Sequence, residues 1–172
     1  MQSTQKVKTD DSSMCRFCTF RLSERLYGVD IKDVKEINTE INFTPIFHAP
    51  QEIKGYINIR GQIYLLLDPR KLFGFDDKEI DDASRVVLFM PHVGEPCGVL
   101  VDSIEDVVAV DEKMIENRRQ NEQKVPEGIE RRAADVGEGV CKLQKELLII
   151  LNAERLLKSV ANINANTIKT EE

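Results

Sequence analysis

Apolar residues in this chain gather in short runs broken by turn chemistry, the rhythm of strands and not of long helices. Residues 17–22 (FCTFRL) and 27–37 (YGVDIKDVKEI) flank Ser23-Glu24-Arg25, while residues 86–90 (VVLFM) and 97–107 (CGVLVDSIEDV) flank a PHVGEP segment. Each pair predicts a β-hairpin. Over residues 63–67 (IYLLL) the alternation disappears, so that strand is expected to be buried on both faces. Just before it, Arg60-Gly61 must join two strand-like runs, which places a cationic side chain on a turn. Just after it, Asp68 suits an N-cap and Pro69 the first helical position. Residues 50–54 (PQEIK) can close one helical turn, with Gly55 as a left-handed stop. A last helix is expected from Ala153 to about Val160, with Leu156, Leu157 and Val160 on one face.

The pattern also repeats itself. Gly28 aligns with Gly98, Val29 with Val99, Ile31 with Val101, Val34 with Ile104 and Ile37 with Val107. Farther on, LLLDPRKL from Leu65 resembles IILNAERL from Ile149, setting Asp68 against Asn152 and Arg70 against Glu154. Arg60 then falls opposite Gln144, so the cationic turn belongs to the first copy alone. The chain reads as two related β-units in tandem within one domain over 14–160, the change of unit lying near 76–84. Short strands with helix only at the ends point to an all-β fold of small barrels, not to a parallel α/β sheet. The polar ends, 1–13 and 161–172, read as disordered tails. The charged stretch 111–138 reads as a solvated surface loop.

Composition narrows the function classes. A 172-residue chain with 41% hydrophobic and 31% charged residues is ordinary for a soluble globular domain. A net charge of −6 and few aromatics argue against nucleic acid, which calls for neutralised phosphates and stacking platforms. The N-terminal residues have no apolar core for a signal peptide, and the longest apolar run, LLIIL, is too short to span a bilayer. The cytoplasm is the expected compartment, and Cys15, Cys18, Cys97 and Cys141 are expected as free thiols.

Candidate chemistry is thin. Cys15-x-x-Cys18 invites a zinc or redox reading, but on a strand residues three apart point to opposite faces, and no second pair follows at zinc spacing. His48 and His92 lie in turn-like segments, with no nucleophile motif to accompany them. Asp68 sits where a phosphoacceptor would, at the end of an apolar strand, yet its repeat partner Asn152 identifies it as a cap. Gly137-x-Gly139 lacks the third glycine of a phosphate-cradling loop and its context. We expect no catalytic residues, no metal and no cofactor. Arg60 has the least structural justification, and arginine is enriched as an interface anchor.

Four ordered blocks, YGVDIKDVKEI, TPIFHAPQEIKGYINIRGQIYLLLDPRKLF, CGVLVDSIEDV and LLIILNAERLL, resemble the CheW-like chemotaxis coupling proteins, from about Cys15 to Val160. The NIRG element is the most specific part; Pro69 after Asp68, where leucine is usual, and the charged 111–138 loop depart from the pattern. The resemblance implies two tandem SH3-like five-stranded β-barrels around a shared core. It implies a non-enzymatic adaptor that binds methyl-accepting chemotaxis receptors and the CheW-like regulatory domain of the histidine kinase CheA, at cytoplasmic receptor arrays. Other CheW copies are further expected partners; nucleic acid and direct membrane insertion are not. By position it assigns receptor or kinase binding to Arg60, Glu36, Val34, Gly55 and Val107. Two alternatives stand beside it: a same-fold adaptor of twitching or gliding motility, and a Cys15/Cys18 redox or zinc regulator.

Overall fold

The computed structural model describes residues 13–117 and 135–169, with side chains for 13–116 and 135–162. The expected N-terminal tail and the middle of the charged loop lie outside the described residues, as does the end of the C-terminal tail. The described chain folds into two six-stranded sheets, each curled into an SH3-like barrel. The strands are β1 (Met14–Leu22), β2 (Arg25–Asp30), β3 (Val34–Asn38), β4 (Phe43–Thr44), β5 (Ile53–Ile59), β6 (Gln62–Leu67), β7 (Arg85–Phe89), β8 (Cys97–Val101), β9 (Ser103–Asp111), β10 (Ile115–Asn117), β11 (Gly137–Lys142) and β12 (Leu147–Leu151). A short helix α1 (Pro69–Leu72) follows β6, and α2 (Ala153–Lys169) follows β12.

Sheet order shows how the two repeats are assembled. Barrel A runs β10-β11-β12-β2-β1-β9, and barrel B runs β3-β7-β8-β6-β5-β4. Both predicted hairpins form, β1–β2 and β7–β8, but each is inserted into the sheet of the other repeat. The insertions are the parallel contacts, β12 against β2 and β6 against β8. The repeat-matched glycines sit at these seams. A Cβ on Gly28 would stand 3.1 Å from Leu148 Cδ1, and one on Gly98 would stand 2.8 Å from Leu88 Cδ2. The chain therefore changes barrel at the 3₁₀ turn Ile31–Asp33 and again at Asp102. The segment 76–84, where the sequence repeat changes copy, joins α1 to β7 within barrel B.

Exchange of hairpins produces three cores. One small cluster fills each barrel: Ile57, Tyr64, Leu66 and Leu88 in B, and Phe17, Leu26, Leu148 and Ile150 in A. The largest cluster is shared, combining Phe20, Leu22, Tyr27, Leu67, Phe73, Val99, Ile149, Leu156 and Val160. Burying each large side chain of this kind contributes roughly 1.5–3 kcal/mol, so the shared cluster is the main adhesive between the barrels.

Four expectations are corrected. In place of a helical turn over 50–54, Pro50 to Ile53 form a tight turn closed by Ile53 N–H donating to the Pro50 carbonyl at 2.9 Å, and Gly55 lies inside strand β5. The run 63–67 is not buried throughout: Tyr64, Leu66 and Leu67 are inside, while Ile63 is 51% exposed. Ile115–Asn117 forms a strand paired with Gly139–Cys141, too short and too polar to show a period. Finally, the α2 backbone continues to Lys169, since no Gly or Pro interrupts residues 153–169.

Candidate functional site

The site is built on the β5–β6 hairpin. Ile59 pairs with Gln62, leaving Arg60 and Gly61 as a two-residue loop. Both have positive φ, +51° and +84°, as the tight turn favoured by strand twist requires. The Asn58 side-chain oxygen accepts from Gly61 N–H at 2.9 Å and holds the loop. A non-glycine residue in this conformation costs about 1–3 kcal/mol, so the register of the hairpin, and not the preference of arginine, puts Arg60 there.

Arg60 stands out from the barrel and ion-pairs with Glu36 on β3, its side chain 75% exposed against 26% for the glutamate. Exposed pairs contribute about 0–1 kcal/mol, so the contact fixes the direction of the guanidinium more than it stabilises the fold. Beside it lies a shallow polar cleft lined by Asn38, Glu40, Asn42 and Asn58. Exposed apolar area flanks it in Tyr56 and Ile63, which share the outer face of the β5–β6 hairpin. Lys35, next to Glu36, donates to the Tyr64 hydroxyl at 2.9 Å and ties β3 to β6. Charge and apolar area thus meet at the β5–β6 hairpin, a composition suited to a protein partner.

Of the five residues singled out in the sequence, the structure brings Arg60 and Glu36 into contact. Val34 is on the same strand, but a bulge separates it from Glu36, and it packs half-buried against the shared core. Gly55 is buried at φ +153°, and a Cβ there would stand 2.1 Å from the Thr44 carbonyl oxygen. Its place is the close approach of β4 to β5. Val107 is 55% exposed on β9, in the other barrel. The sequence reading passed over Tyr56 and Asn58, although the alternation in GYINI points both outward. Phe47 was missed as well; it is 88% exposed beside His48, whose φ is +60°.

The remaining candidates take structural roles. Asp68 caps α1, its carboxylate accepting from Arg70 N–H at 3.1 Å, and Asn152 caps α2 by accepting from Arg155 N–H at 2.9 Å. Burial pushes the Asp68 carboxyl above the usual range, against the pull of Lys54 at 3.5 Å. Cys15 and Cys18 pack into different cores, and all four cysteines are free. Burial raises every thiol, Cys97 to about 12, which disfavours the thiolate at each of them. Among the described residues no cluster of ligands could hold a metal ion. None of their helices is long and apolar enough to cross a membrane.

A family model described as the CheW-like domain matches residues 16–161. The chemotaxis protein CheW of Klebsiella aerogenes is 30% identical over 143 residues, covering 83% of this chain and 81% of that protein. The chemotaxis protein CheW of Bacillus subtilis is 26% identical over 162 residues, covering 94% and 96%. Among solved structures, the scaffolding protein TtCheW from Thermoanaerobacter tengcongensis superposes with a TM-score of 0.68 at 31% identity, over 80% of this chain and 88% of that one. The family match over most of the chain and the superposition on a CheW scaffold agree, and the chain belongs to the CheW-like domain family.

Proposed function

We propose that this chain is a non-enzymatic coupling protein of chemotaxis, joining methyl-accepting receptors to the histidine kinase CheA and setting the kinase's activity. The observation that supports it best is the match to CheW proteins across nearly the whole chain; the outward Arg60–Glu36 pair lies within the matched residues 16–161. The reading places the protein in the cytoplasm at receptor arrays, beside other copies of itself. Arg60 and Glu36 orient the partner and reject wrong ones, while the exposed apolar residues of barrel B supply contact area. Val34 and Gly55 act through the placement of β3 and β5, and Val107 offers a second contact on barrel A.

Coupling needs no bond making. It requires that the chain bind two states of the kinase or receptor unequally, because tethering alone shifts no equilibrium. The test is co-sedimentation with CheA and receptor-tip fragments, scored for autophosphorylation. Kinase activity should rise only when receptor fragment, kinase and this chain are all present. Full activity without the chain, or no recruitment of the kinase by it, would remove the reading.

A further inference from the structure

The described chain passes between the barrels twice, and the two crossings are secured differently. At the first, Asp33 meets Nε2 of His92 at 2.7 Å in the open, the His92 side chain being 57% exposed. At the second, Asp102 ion-pairs with Arg70, and here both side chains are largely withdrawn from water, 9% and 14% exposed. Arg70 belongs to α1 of barrel B. Its guanidinium also donates from Nη2 to Ser23 Oγ at 3.3 Å and from Nε to the Asp76 carbonyl at 3.0 Å. Ser23 is the turn of the β1–β2 hairpin in barrel A, held at φ +56°, and its N–H donates to the same Asp102 carboxylate at 2.7 Å. Asp102 N–H in turn donates to the Arg21 carbonyl at 2.9 Å. One buried cation therefore binds the helix of one barrel, the hairpin turn of the other and the strand passing between them.

We propose that Arg70 is a positioning residue, a clamp that fixes the angle between the two barrels. The part of the inference that concerns kinase control rests on the coupling function above. The shared apolar core holds the barrels together, but apolar attraction is non-directional and tolerates small rotations. A forked guanidinium with three fixed partners does not, because rotation would strand a buried charge. Partners docked on both barrels sense that angle, so the clamp sets how binding at one is felt at the other.

The test uses the full chain with Cys15→Ser, spin-labelled at Ile63→Cys and Ala109→Cys, exposed positions on barrels B and A. Pulsed dipolar spectroscopy should give one narrow distance for the labelled control carrying native Arg70. In Arg70→Gln the distribution should broaden roughly twofold, with Arg70→Lys intermediate because an ammonium reaches Asp102 without the fork. Should Arg70→Gln fail to fold, Ser23→Ala removes a single clamp bond and should broaden the distribution to a smaller degree. In unlabelled protein, Arg70→Gln should keep receptor and kinase pull-down while kinase stimulation falls about fivefold, as an interdomain coupling of about 1 kcal/mol would give. A native distribution in folded Arg70→Gln and Ser23→Ala overturns the clamp. The spectroscopic measurement involves no partner, so it decides the clamp even if the native chain fails to couple a kinase.

Discussion

The two barrels carry the same sequence repeat, and their matching hairpins do opposite things. In barrel B the β5–β6 loop is two residues long and lifts Arg60 into solvent, tethered by Glu36. In barrel A the β11–β12 loop spans residues 143–146, closed by Leu143 N–H donating to the Glu146 carbonyl at 2.9 Å. There Gln144 replaces the cation, and Glu146 is drawn back onto Arg21 at 2.6 Å. One hairpin lifts an arginine on a two-residue turn; the other holds Glu146 against its own barrel and exposes Lys145 on a longer loop. The repeat accounts for the architecture, and the recognition surface proposed above lies where the chain departs from it.

The sharpest way to break the comparison is through glycine. Gly55→Ala should destabilise the protein by about 3 kcal/mol or more, since the new methyl meets backbone at 2.1 Å and the φ is hostile to any side chain. Denaturant melts would show it, and a loss under about 1 kcal/mol would mean that β4 can move away. At the two seams the matched glycines should differ. A methyl on Gly98 meets Leu88 and Val86 side chains at 2.8 and 2.9 Å, whereas on Gly28 the nearest atoms lie at 3.1 and 3.2 Å. Gly98→Ala should cost about 2 kcal/mol and Gly28→Ala about 1, by overpacking. Equal losses would mean that the β7–β8 hairpin relaxes around its glycine as readily as the β2–β12 seam does.

The presentation itself is tested by charge reversal in both hairpins. Arg60→Glu should leave the circular dichroism spectrum intact and change stability by less than about 0.5 kcal/mol, as exposed substitutions do. Receptor or kinase affinity should fall about 30-fold, the 2 kcal/mol expected of an arginine anchor. Gln144→Glu should change neither. Equal effects at the two positions would erase the functional asymmetry of the barrels.

How much of this was readable depended on the range of the interaction. Strands, the cap at Asp68 and the cationic turn are local, written in period, capping chemistry and a loop of two residues. The exchange of hairpins is not local: period reports that β1–β2 has an apolar face, but not which sheet will accept it. Arg70 was equally hidden. Its repeat partner is Glu154, it reads as a last-turn helix cation, and its role depends on Asp102 and Ser23 being folded against it. Glu36 entered through family resemblance alone, because nothing in VKEI foretells that β3 will pass beside the Arg60 turn.

The smallest predicted effect concerns the two caps. Asp68 and Asn152 are repeat partners with the same duty, but only the former carries a charge into a buried place. Burial raises the folded-state pKa of Asp68 above its unfolded value, with Lys54 opposing. The native state therefore holds the proton more tightly, and between those two pKa values this group's contribution to stability declines as pH rises. Above both, the ionised carboxylate carries its full desolvation cost. Asp68→Asn keeps the capping oxygen and removes the titration, and Lys54, partly exposed, turns to solvent. Neutral-pH stability should hold or rise slightly, and the mutant should lose the decline that wild type shows as pH rises through the acid range. A melting series from acid to neutral pH compares the two proteins directly. A mutant that loses stability at neutral pH while keeping the acid-range decline would show that the Lys54–Asp68 attraction outweighs burial, so that the charged cap of barrel B improves on the neutral cap of barrel A.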